Sequence, residues 1–208
     1  HISNRAGDQE LPAHVSQRMN HWHLVNPIDD VLEHAASIGL ATEVTGYLAW
    51  RRQTAIKFDP NARCNPTQRS WFKVAQHCHN DHMRGLPRNL MRAMVSGYIG
   101  EGPAADYMAF VKLRDEMPSP ESIIQDPRGA KVPDVSKPDV LWAIVSALTG
   151  HATQKSIGPI MTYLGRVKAA EFTVFAIKDI TQRHPKLNSA PEVMDWKLKN
   201  RSLFTPVT

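Results

Sequence analysis

Apolar residues recur at helical spacing along most of this chain, and that repetition limits its fold more than any other feature. Leu141, Ile144, Val145 and Leu148 fall at i, i+3, i+4 and i+7, which lines them along one face of a 3.6-residue helix. Ile157, Ile160, Met161 and Leu164 repeat the spacing, and Phe172, Phe175, Ala176 and Ile180 form a third stripe. Nearer the front, Val31, Leu32, Ala35, Ala36 and Ile38 mark a helix started by Asp29 or Asp30 and ended by Gly39. Thr42 is the expected cap of a helix reaching Arg52, with Val44, Tyr47, Leu48 and Trp50 as its bulk. Leu90, Met91, Met94 and Val95 predict a buried face from Pro87 to Tyr98. The run GYIGEG at 97–102 reads as a turn, and Pro103 opens a helix carrying Tyr107, Met108, Val111 and Leu113. Leu11 to Met19 predicts one short helix, and Pro191 to about Asn200 the last one. Only His21 to Val25 alternates as a strand does, before Pro27 ends it. The fold class expected is mainly α, with a scrap of sheet at the front.

The stretch Asn65 to Cys78, NPTQRSWFKVAQHC, carries the densest signals. Asn65 can cap a helix, Pro66 suits its first position, and Gln68 can reach back as in a capping box. Trp71, Val74, Ala75 and Cys78 then make a buried stripe, with Arg69 roughly opposite it in the first turn. A cation there gains nothing from the helix dipole, whose N-terminal end is positive. An anion outside the helix would account for it, and a solvated surface Arg is the plain alternative.

The 208 residues suit one large domain or one and a half small ones, enough to bury a core. Five prolines between Met117 and Pro138 predict a connector over the surface, with one short helix at Glu121 to Gln125. The net charge of +5 permits an acidic partner, but the excess is small. Cys64 and Cys78 make no disulfide framework, so a reducing, cytoplasmic compartment is expected. No apolar run has the length of a membrane span, and no membrane association is expected.

Three stretches read together are specific. SNRAGD (Ser3 to Asp8), LPAHVSQRM (Leu11 to Met19) and PTQRSW (Pro66 to Trp71) resemble, in order and spacing, the second half of a MoxR-like AAA+ ATPase. GYIGEGPAADYMAFVKL, PSPESIIQDP and PDVLWAIVSAL resemble the same family's helical lid and its extension. The resemblance covers about Ile2 to Leu148 and departs from the family pattern at Gln17, Met19 and Gln68. It implies that 1–27 ends an α/β core, 28–117 is a helical lid, 118–138 a connector and 139–208 a helical extension. Asn4 matches the residue that orients the water attacking the γ-phosphate. Arg18 matches the arginine finger offered to a neighbouring subunit's nucleotide, and Arg69 the lid arginine that meets phosphates in its own subunit. The cofactors implied are ATP and Mg2+. The partners implied are further copies in a hexameric ring and a protein bearing a von Willebrand A domain. The activity implied is ATP-driven remodelling or maturation of other proteins.

No GxxxxGK[ST] occurs in the chain, and GHATQKS at 150–156 lacks its second Gly. No apolar strand ending in paired acids is present either. The chain is therefore expected to be the carboxyl-terminal part of such an ATPase, inactive alone. QHCHNDH, with Cys78 and His82 four apart, invites a metal reading. Cys78, however, falls in the apolar stripe, where it acts as a small hydrophobe, so no metal is expected. Arg84, Arg88 and Arg92, like Lys197, Lys199 and Arg201, do not form the clustered footprint of a nucleic-acid binder, so nucleic acid is not an expected partner. Two other classes stay open to the sequence: a helical interaction module without nucleotide, and a nucleic-acid-handling subunit.

Overall fold

The computed structural model describes residues 12–20, 27–80, 83, 85–115 and 117–203. Among the described residues the protein is mainly helical and has no strand. Asn4 and the strand candidate His21 to Val25 lie outside them. The helices are α1 (Ala13–Ser16), α2 (Ile28–Ser37), α3 (Thr42–Trp50), α4 (Gln68–Cys78), α5 (Arg88–Ile99) and α6 (Glu101–Asp115). They continue with α7 (Pro120–Gln125), α8 (Pro138–Gly150), α9 (Ile157–Leu164), α10 (Ala170–Arg183) and α11 (Pro191–Lys199). Two 3-10 turns, Pro185–Ser189 and Arg201–Leu203, flank α11. No helix among the described residues is long and apolar enough to cross a membrane.

α8 is the centre. It is buried on nearly every side, as a helix that is apolar all round must be. α3, α6 and α10 pack against it, and α10 also packs on α2. At the α3–α8 crossing, a Cβ on Gly46 would fall inside the van der Waals shell of Ser146 Cβ and Oγ, so only glycine permits that approach. One hydrophobic cluster runs from Val31 of α2 to Val193 of α11. It thus unites described residues on both sides of the proline-rich stretch, from α2 to α11. That stretch is tied down: Ile123 of α7 is fully buried, and Tyr163 Oη donates to the Lys131 carbonyl at 3.0 Å. The Arg166 guanidinium donates to the carbonyls of Pro127 and Ala130 at 2.8 and 2.7 Å.

The structure departs from the sequence reading at several ends. GYIGEG is not an open turn: α5 runs through Ile99, α6 starts at Glu101, and Gly100 alone makes the joint at φ +88°. Leu90 is 50% exposed, and the buried residues of α5 are Val95 and Ile99. Thr42 is the first residue of α3 rather than its cap. Its Oγ1 accepts instead from both Nη atoms of Arg114, at 3.2 and 3.3 Å, a tertiary use of a capping group. Ile38 lies beyond the end of α2, 49% exposed. The first helix is a single turn, Ala13–Ser16, too short to propagate by itself.

Candidate functional site

The start of α4 is built by its loop as much as by its own signals. Thr67 is the cap, its Oγ1 accepting the Ser70 N–H at 3.3 Å. Asn65, the expected cap, is spent on the preceding loop. Its Oδ1 accepts from Asp59 N–H at 2.7 Å, and its Nδ2 donates to the Asp59 carbonyl at 3.0 Å. Pro66 precedes the helix and is buried, its carbonyl accepting the Lys57 N–H at 3.0 Å. The expected stripe holds: Trp71, Val74, Ala75 and Cys78 are the buried residues of α4.

Trp71 fixes the orientation of this turn. It is 0% exposed, and its Nε1–H donates to the Ala55 carbonyl at 2.7 Å. Its ring packs on Tyr47 and Tyr107 at centroid distances of 5.1 and 5.3 Å. Phe72 stacks on His34 of α2 at 5.7 Å. Arg69, two residues before Trp71, is exposed in a first turn that holds no acid. Among the described residues its guanidinium has no hydrogen bond or ion pair. The segment 51–73 is strongly basic: Arg51, Arg52, Lys57, Arg63, Arg69 and Lys73 face one acid in sequence, Asp59. Arg51 is neutralised by Asp106 at 3.0 Å and Arg52 by Asp29. This turn presents a rigidly based, always-charged planar donor at the surface.

Arg18 lies in the turn after α1, not within a helix, and is exposed. Its N–H donates to the Val15 carbonyl at 3.1 Å. No hydrogen bond or ion pair joins it to Arg69. Asn4 is outside the described residues.

A second polar cluster was not anticipated from sequence. A cleft of about 550 Å³ is lined by Glu43 of α3, His79 just after α4, and Met108 and Arg114 of α6. Arg114 lies 3.4 Å from Glu43, and Tyr107 Oη is 2.6 Å from His79 Nε2. Burial pushes Glu43 upward, but the charges of Arg114, His79 and Arg183 and a backbone hydrogen bond outweigh it and hold the carboxyl below its usual value. Burial lowers His79, with Arg114 adding to the effect and Glu43 opposing it. Burial also raises Tyr107 far above the usual phenol range. Tyr107, keeping its proton, and His79, shifted toward the neutral form, share that hydrogen bond. No spacing rule connects residues 43, 79, 107 and 114, and in sequence His79 stands out only within the run QHCHNDH.

The metal motif lies only partly within the described residues. Cys78 is 1% exposed, and burial pushes its thiol up to about 11. The Cys64 thiol donates to the Gly97 carbonyl at 3.2 Å. His82 lies outside the described residues, and among those described no group of three or more His, Cys, Asp or Glu side chains is arranged to hold a metal. No protein-family model, curated protein or solved structure matches the chain.

Proposed function

We propose that this chain is the carboxyl-terminal, lid-bearing portion of a MoxR-like AAA+ ATPase, a ring-forming machine that remodels or matures other proteins. The observation that carries the reading is Arg69: an exposed guanidinium, unpaired among the described residues, in an acid-free first turn whose base is locked by the buried Trp71. An arginine held this way suits the phosphate oxygens of a nucleotide, because its planar fork is charged at every working pH. The motif order from SNRAGD through PTQRSW to GYIGEG supports the same reading. In it, residues 1–27 close an α/β core, 28–117 form the lid, and 139–208 extend it. The phosphate-cradling loop and the acids for Mg2+ are not supplied by any motif of these 208 residues.

The residues in hand fit the lid side of such a site and not the cradle, which needs backbone N–H groups absent from any motif here. Bound ATP supplies the phosphoryl group that passes to water. Arg69 holds phosphate oxygens in its own subunit. Arg18 reaches the neighbour's site and stabilises charge on the transferred group, and Asn4 orients the attacking water through a neutral amide.

The test uses the complete protein. Arg69→Ala should weaken nucleotide binding in calorimetry, whereas Arg18→Ala should bind nearly normally and hydrolyse slower by roughly 10³ to 10⁵. Mixing Arg18→Ala subunits with subunits lacking the phosphate-binding lysine should restore part of the activity, since some interfaces then hold an intact pocket and an intact finger. Unchanged binding in Arg69→Ala removes the basis for the reading. Mixed rings that form and stay inactive remove Arg18 from its role.

A further inference from the structure

We propose that two copies of this chain associate by each laying the exposed side of α11 into a groove on the other, formed by α2, α8 and α10. This inference does not depend on nucleotide. The groove has a volume of about 630 Å³ and an apolar floor of Leu32, Trp142 and Phe175. Its rim inverts the sign of the chain, which is +5 overall. Asp29, Glu33 and Glu171 stand there against Arg52 and Lys178. Arg52 is already neutralised by Asp29. Glu171 is exposed and makes no ion pair among the described residues.

α11 offers the complement. Val193 turns into the core, but Met194 and Leu198, one turn apart, are 43% and 59% exposed. Its acids, Glu192 and Asp195, lie in its first half, while Lys197 and Lys199 fill the last turn and Arg201 follows. An apolar pair beside a basic helix end matches an apolar floor with an acidic rim. Leu203, 46% exposed just beyond α11, lines its own chain's groove, so the end of α11 leads to that groove. A two-fold axis then lets each copy fill the other's groove.

Sedimentation velocity of the 208-residue chain without nucleotide reads the result. A monomer–dimer equilibrium is expected across the micromolar range, weakening as salt rises. Leu198→Asp and, separately, the double variant Glu33→Lys with Glu171→Lys should each lower the association constant at least about tenfold. Both sets alter exposed side chains, and circular dichroism verifies that helix content is kept. Leu198→Ser replaces Leu198→Asp should the latter unfold. Mixing the two variants should return a heterodimer, because one of the two contacts is then intact. A monomer at every concentration, a dimer indifferent to either variant, or a mixture that stays monomeric overturns the proposal.

Discussion

Tyr107 Oη and His79 Nε2 share a hydrogen bond of 2.6 Å, and the burial of that imidazole couples stability to pH. His79 has a folded-state value below the ordinary 6.5, so the unfolded chain takes up its proton first. Its contribution to stability is complete above about 6.5 and shrinks as pH falls from there, until the folded form is protonated too. Glu43, held low, loses its contribution only in more acidic solution, as pH drops below the usual carboxylate value of 4.5. Between pH 7 and 5, the wild-type chain should therefore lose stability faster than His79→Gln, by up to about 1.4 kcal/mol per pH unit. Denaturant titrations at stepped pH measure this, and parallel slopes for the two proteins would refute it. The sequence could not announce the pair, because residues 79 and 107 meet only through tertiary packing of α4 on α6. Arg69 was different. Helical periodicity alone put it opposite the buried stripe, and the structure leaves it exposed. Arg183 belongs with the hidden set. It is almost buried, pairs with Asp179 at 2.7 Å, and donates to the Leu40 carbonyl at 2.6 Å, a bond spanning most of the chain.

At the scale of elements, the stripes of α4, α8, α9 and α10 were readable because their burial is one-sided or complete and their period is strict. The ends were not, since an end is decided by whichever group claims the capping side chain. Asn65 and Thr42 were both taken by contacts outside their helices. α3 shows what periodicity misses: Gly46 lies in the middle of a helix, where glycine costs roughly 0.5 to 1 kcal/mol relative to alanine. Its retention follows from the Ser146 side chain, whose Cβ and Oγ lie too close for a methyl group. Gly46→Ala should gain that propensity term but lose more to overpacking, typically about 1 to 3 kcal/mol, because the obstructing atoms are near the backbone of α8. The net effect expected is a lower denaturation midpoint, partly recovered by Ser146→Gly in the same chain. A Gly46→Ala protein more stable than wild type would show that the helices can separate at little expense.

For the whole molecule, the continuous core implies that 28–117 and 139–203 unfold together although a proline-rich stretch lies between them. Amides of α4, α8 and α10 should exchange with solvent through one shared opening, with a common free energy and denaturant dependence. Two distinct openings, one for α4 and another for α8 and α10, would mark the stretch at 118–138 as a true boundary. The same construction bears on Arg69. Trp71 seats the start of α4 among the rings of Tyr47 on α3 and Tyr107 on α6. α3 in turn meshes with α8 where no methyl group fits. A pull on the Arg69 end therefore has little slack to dissipate in, and it should reach α10 and α11 as a swing of the whole body, with the helices acting as a lever arm.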